Sequence, residues 1–97
     1  MLFFVEMIQE RPMPGVETEY DDLRRRVCRT LELLVSMTDV HGGVVAGGRA
    51  LAFMIEEVDA EALDVRLQGL PLWDWVETTR VTPLVSFHAR LGHNRSR

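Results

Sequence analysis

Residues 2–9, LFFVEMIQ, are rich in β-formers and carry apolar side chains on both sides of a strand. Phe3, Val5 and Met7 fall on one side, and Leu2, Phe4 and Ile8 flank Glu6 on the other. Ala50 to Ile55 repeats the pattern, with Leu51, Phe53 and Ile55 set against Ala50, Ala52 and Met54. Strands of this kind are covered on both faces. A chain of 97 residues has room for one domain, so its own helices can cover one face of a sheet and something else must cover the other.

The segments between these strands set the order of elements. Arg11-Pro-Met-Pro-Gly15 ends the first strand. From about Thr18 to Met37, Tyr20, Leu23, Val27, Leu31, Leu34 and Val35 form an amphipathic helical stripe. Thr18 is the expected N-cap, and Asp21–Arg25 and Asp22–Arg26 are i,i+4 pairs in the favourable order. The run Arg24-Arg25-Arg26 with Arg29 reads as a solvated, acid-paired helix face. Val40–Ala46 and Ala50–Ile55 read as a hairpin joined through Gly47-Gly48-Arg49, and Gly42-Gly43 marks a bulge or a close approach by ligand or backbone. Asp59 caps a short helix with Leu63, Leu67 and Leu70 on its buried stripe, closed by Pro71. Leu72 to Val76 is a compact turn, and Thr78–Phe87 a last strand that Pro83 assigns to an edge or a bulge.

The resulting order, β-α-β-β-α-β, predicts a ferredoxin-like α+β fold with a four-stranded antiparallel sheet. Two helices cover one face of that sheet, and the simplest cover for the other is a second copy, hence an expected homodimer. Residues 1–88 form the expected domain and 89–97 a polar, arginine-rich tail, mobile at its end.

Composition narrows the function classes. Apolar residues make up 46% and charged residues 27% of the chain, a globular balance. The net charge of −4 argues against a nucleic-acid partner. No apolar run is long enough for a membrane span and the first ten residues lack a basic leader, so the expected location is the cytoplasm. All 11 basic residues are arginine, which removes lysine Schiff-base chemistry. The single cysteine, Cys28, excludes an intrachain disulfide and reads as an inert helical thiol. The 3 histidines show no metal-ligand spacing, so no metal is expected, and the sequence has no phosphate loop or dinucleotide fingerprint.

Met1-Leu2-Phe3-x-Val5-x-Met7, Val58-Asp59-Ala60-Glu61-Ala62-Leu63, Leu70-Pro71-Leu72-Trp73 and Val81-Thr82-Pro83-Leu84 occur in an order and spacing that resemble the muconolactone isomerase family, within the dimeric α+β barrel group. The resemblance runs from Met1 to about His88 and implies a small cofactor-free enzyme that moves a proton in an unsaturated lactone, often as a ring-shaped oligomer of dimers. Departures from the family pattern include Phe4 in place of histidine, His41-Gly42-Gly43 in place of a tryptophan and arginine region, Asp74-Trp75 in place of a proline-aromatic pair, and Phe87-His88-Ala89 at the end. They point to a diverged member acting on a small, largely apolar unsaturated substrate in natural-product or aromatic-compound metabolism.

Three residues are candidates for proton transfer. Glu6 lies on an apolar strand face that suits a general base, and equally reads as an interfacial carboxylate paired with Arg49 or Arg80. His41, before the glycine pair, reads as a proton shuttle or a surface histidine. Asp74 lies between Trp73 and Trp75, which can wall an apolar pocket or anchor the turn. Phe4, Tyr20, Gly43, Phe53, Trp73, Trp75 and His88 are the expected substrate-binding residues. The expected function is a cofactor-free isomerase or cyclase. A cofactor-independent monooxygenase of the same fold and a non-catalytic ligand-binding module are the alternatives.

Overall fold

A computed structural model describes residues 1–96. The elements are β1 (Leu2–Ile8), α1 (Glu17–Ser36), β2 (Val40–Val44), β3 (Ala50–Glu56), α2 (Ala60–Gln68), a 3-10 turn at Trp73–Trp75, β4 (Thr78–Leu84) and α3 (Phe87–Arg95). The four strands form one antiparallel sheet in the order β2-β3-β1-β4. This is the ferredoxin-like α+β fold, with a third helix added at the end.

Strand register sorts the two apolar faces. Phe3, Val5 and Met7 oppose Ile55, Phe53 and Leu51 on β3, and all six are buried beneath the helices. Leu23 of α1, Leu63 and Leu67 of α2, and Leu70 and Leu72 beyond it complete this core. Leu2, Phe4, Glu6 and Ile8 point to the other side, where they are only half-buried. Their neighbours there are Met54, Ala52 and Ala50 on β3 and Leu84, Thr82, Arg80 and Thr78 on β4. No element of the described chain lies over this second face, the uncovered surface that the two-sided strands require.

Local signals act as their chemistry dictates. Asp59 caps α2, its Oδ1 accepting from the Ala62 N–H at 2.8 Å. Gly47 takes the positive φ of 73° that turns β2 into β3. β4 is an edge strand, which accommodates Pro83 because an edge leaves one row of backbone groups without strand partners. Thr30, fully buried on α1, accepts the Leu72 N–H on its Oγ1 at 3.0 Å and ties the post-α2 turn to the helix.

Several expectations are corrected. α1 begins at Glu17 after Val16, which offers no capping side chain, so Thr18 lies inside the helix. Asp22–Arg26 closes at 2.9 Å, whereas Asp21–Arg25 is not among the ion pairs of the described residues. α2 stops at Gln68 with Gly69 as its C-cap, two residues before Pro71. β2 ends at Val44 rather than Ala46, and β4 at Leu84 rather than Phe87. The boundary expected between residues 88 and 89 falls inside α3. There Ser86 accepts the Ala89 N–H on its Oγ at 3.1 Å and starts a helix in place of a tail; Arg97 lies outside the described residues.

The glycine pair of β2 divides in two. A Cβ at Gly42 would overlap the Ala52 carbonyl oxygen and the Phe53 Cα, so the close approach is by the backbone of β3. A Cβ at Gly43 would meet nothing. Gly42→Ala is therefore expected to lower stability by about 1–3 kcal/mol through overpacking, and Gly43→Ala to leave the thermal midpoint nearly unchanged. Parallel melting curves check the contrast, and equal midpoints for the two variants would contradict it.

Candidate functional site

The helix-covered side of the sheet holds a cavity of about 270 Å³ between the first half of α1 and the ends of β1 and β3. Met7, Leu23, Val27, Leu51, Leu72 and Val76 make its apolar walls. Tyr20, Arg24, Arg49 and Gln9 supply its polar groups, and Met13 flanks the opening. Tyr20 and Arg24 are one helical turn apart, on the flank of the buried stripe that continues through Leu23 and Val27. A second cavity of about 360 Å³ lies further along α1, between Leu31, Leu34 and Val35 and the β2 backbone, and shares Val44 and Leu51 with the first.

Ion pairing separates the two arginines of the first cavity from Arg11, Arg26 and Arg66. Arg26 is bound to Asp22 at 2.9 Å and Asp74 at 3.3 Å, and Arg66 to Asp39 at 3.0 Å and Glu57 at 3.3 Å. Neither Arg24 nor Arg49 takes part in a salt bridge among the described residues; Arg49 donates through Nη1 to the Arg11 carbonyl at 2.8 Å. Two guanidinium groups without carboxylate partners beside an apolar cavity suit a small molecule with an apolar body and a negatively charged or charge-developing end.

The loop that forms one lip of the cavity is clamped from below. Arg11 donates through Nε to Glu77 at 2.6 Å, the Glu10 N–H donates to the same carboxylate at 2.7 Å, and the Arg11 guanidinium lies 5.1 Å from the Trp75 ring centroid. These partners pull the Glu77 pKa down to about 2, the Arg11 hydrogen bond first and the backbone N–H second. A carboxylate lowered in the folded state contributes stability above its ordinary value near 4.5, and loses that contribution as pH falls towards 2. Arg11→Ala is accordingly expected to lower stability at pH 7, where that contribution is fully present, and the deficit is expected to shrink as pH falls from near 4.5 towards 2. Urea unfolding at pH 7 and at successively lower pH checks this, and a stability difference that does not shrink towards acid would refute it.

The expected site residues are dispersed. Tyr20 lines the first cavity. Gly43 and Phe53 line the second, although Phe53 is itself a core residue. His41 also lines the second cavity, although its pairing with Met54 puts its side chain on the uncovered face of the sheet. Glu6 and Phe4 lie on that uncovered face too, Glu6 directly opposite Arg80. Asp74 is exposed, its carboxylate held by Arg26 and its carbonyl by Arg11 at 3.2 Å. Trp73 and Trp75 pack half-buried against the core. His88 is in the exposed helix α3. Glu6, Asp74 and His88 line neither cavity. Gln9, Met13, Arg24 and Arg49 were not anticipated. The signal for Arg24 was its position four residues after Tyr20 on the edge of the buried stripe.

Comparison with solved structures places the fold. The chain resembles muconolactone isomerase with a TM-score of 0.70 and 24% identity, over 89% of this chain and 90% of that one. It also resembles 5-chloro-2-hydroxyhydroquinone dehydrochlorinase from Burkholderia phenoliruptrix in complex with 2,5-dihydroxybenzoquinone, with a TM-score of 0.56 and 16% identity, over 91% of this chain and 97% of that one. The chain thus has the muconolactone-isomerase fold, as the order of its elements and its short motifs indicated. No protein-family model matches the sequence, and no curated protein does.

Proposed function

We propose that this chain is a cofactor-free isomerase or cyclase that acts on a small, largely apolar unsaturated substrate in the cavity beneath α1. The observation that carries the reading is the cavity itself: apolar walls of about 270 Å³ with Tyr20, Arg24, Arg49 and Gln9 as its polar groups. An isomerisation that removes a proton beside a carbonyl builds negative charge on the carbonyl oxygen. Tyr20 can donate a hydrogen bond to that oxygen, and the guanidinium groups of Arg24 and Arg49 stabilise the charge as it develops. A templated cyclisation would use the same walls to hold a reactive conformer. The shared fold with an isomerase and a dehydrochlorinase that binds a quinone supports a small unsaturated ring compound as the substrate.

Within one copy, no carboxylate or imidazole lines this cavity. Glu6, His41 or Asp74, if one of them carries the proton, would have to act from outside it. The same observation favours a second reading, a ligand-binding module without turnover. Incubating the protein with a panel of unsaturated lactones and hydroxyquinones in deuterated water separates the two. Catalytic deuterium incorporation or ring closure supports the enzyme. Saturable, stoichiometric binding with no incorporation supports the module. We further propose that the uncovered face of the sheet, with Leu2, Phe4, Ile8, Met54 and Leu84, packs against a second copy to form a homodimer.

A further inference from the structure

The second cavity is a gap that the sequence of β2 leaves open. Val40, Gly42 and Val44 pair with Ile55, Phe53 and Leu51. Those three partners are buried beneath the helices, so the β2 positions opposite them face α1 as well. Gly42 brings no side chain to that face, and β2 is an edge strand of the sheet. Val40 and Val44 are therefore the side chains that β2 offers to the last turns of α1, where Leu31 and Leu34 stay half-buried. The space between them is the cavity of about 360 Å³. A Cβ at Gly42 would overlap the β3 backbone, so no larger residue there can close the gap without displacing β3.

The gap continues the first cavity. Val44 and Leu51 line both, and the α1 lining runs from Tyr20 in the first to Val35 in the second. At about 1.5 Å per residue, that stretch of helix covers about 22 Å. Polar groups gather at one end. Gln9, Tyr20, Arg24 and Arg49 belong to the first cavity. Among the described residues the second takes only His41, whose side chain points to the other face of the sheet. Its far end opens to solvent beside Val35, which is 87% exposed.

Size and polarity indicate what fills the pair. A dry apolar cavity of about 150 Å³ holds a benzene ring, so a substituted ring fills much of the first cavity, at about 270 Å³. A substrate no larger than that ring would leave the second cavity, with its half-buried leucines, in contact with water. A hydrocarbon chain covers them, with a gain proportional to the apolar area removed from water. A hydroxyl or charge on the chain would lose hydration and find no hydrogen-bonding side chain in these walls.

We infer that the substrate has two parts: a carbonyl-bearing unsaturated ring at Tyr20, Arg24 and Arg49, and a plain hydrocarbon tail that passes Val44 and Leu51 into the second cavity. This rests on the reading of the first cavity as the substrate site. It narrows the substrate class to alkyl-substituted rings, in place of a bare ring compound. Leu31, Leu34 and Val35 then set the length of tail that is accepted. The tail takes no part in bond making, so it contributes equally to binding of the ground state and the transition state.

Saturated butyrolactones test the tail without turnover, because they carry the carbonyl but no double bond to move. Calorimetric titration compares methyl, butyl and octyl side chains on the carbon next to the ring oxygen. Full burial of a methylene is worth about fourfold in affinity, and half-burial about twofold, so octyl is expected to bind on the order of 100-fold more tightly than methyl. Val35→Asp places a charge at the open far end, at an exposed position, and is expected to cut that gain below about tenfold. Leu34→Trp fills the middle of the gap and is expected to cut it likewise. Val65→Asp, on the exposed side of α2 and lining neither cavity, is the control for added charge. Equal affinity from methyl to octyl, or no binding by any member, overturns the inference. So does a gain that Val35→Asp and Leu34→Trp leave intact, or that Val65→Asp reduces as much. Deuterium incorporation into a short butenolide is measured alongside. Turnover with a flat series retains the proposed function and removes the tail. A steep series that both second-cavity variants flatten, without turnover of any butenolide, keeps the two-part ligand and removes the enzyme.

Discussion

Phe3→Ala is expected to destabilise the fold by about 3–5 kcal/mol, a large part of the roughly 5–15 kcal/mol available to a domain of this size. Phe3 is 1% exposed and lies in the core formed by the helix-covered face of the sheet and the two helices, so truncation leaves a cavity that the opposing Ile55 cannot fill. Phe4, one residue along, points to the uncovered face. Phe4→Ala is expected to cost the isolated chain much less, and Phe4→Glu to disrupt self-association by placing an unpaired charge in the apolar contact. Urea unfolding at low protein concentration measures the first effect, and light scattering across a dilution series the second. Equal destabilisation by the two alanine variants would show that the faces are not distinct. An unchanged assembly in Phe4→Glu would show that this face is not the interface.

That contrast was visible in the sequence, because strand periodicity is local: alternate residues separate onto two faces whatever surrounds them. The order of elements was legible for the same reason, as were the Asp59 cap and the edge position that Pro83 demands. α3 was not. Its only apolar pair is Phe87 and Leu91, Gly92 interrupts it, and it packs on no other element that would select its pattern, so the segment reads as a polar tail. The Ser86 cap was the available signal. The site was hidden for a different reason. Arg24 and Arg49 are distant in the chain and look like surface charge, and only the packing of α1 over the β3 end brings both to one opening. Glu6 and His41 sit on strands, as expected, but which face of the sheet the helices cover leaves Glu6 outside both cavities and His41 at the second one only.

Tyr20→Phe carries the largest expected effect on activity. The substitution deletes one hydroxyl at a position exposed at the cavity mouth, so the fold and the apolar walls remain. If the hydroxyl donates to an oxygen that becomes negative only as the proton leaves carbon, its loss falls on kcat, by about 10²–10³-fold as for other oxyanion donors, with KM little changed. Arg24 carries its charge in both ground and transition state, so Arg24→Gln is expected to raise KM for an anionic substrate and to lower kcat as well. Asp74→Asn, which loosens only the contact with Arg26 outside the cavity, is expected to leave both constants near the parent's. Steady-state kinetics on the three variants give the pattern directly. A Tyr20→Phe variant with parental kcat would remove the phenol from the chemistry, and a large loss in Asp74→Asn or Glu6→Gln would move the reacting site away from this cavity. A loss confined to KM in Tyr20→Phe would indicate uniform binding, as a templating or ligand-holding site requires, and not stabilisation of a charged transition state.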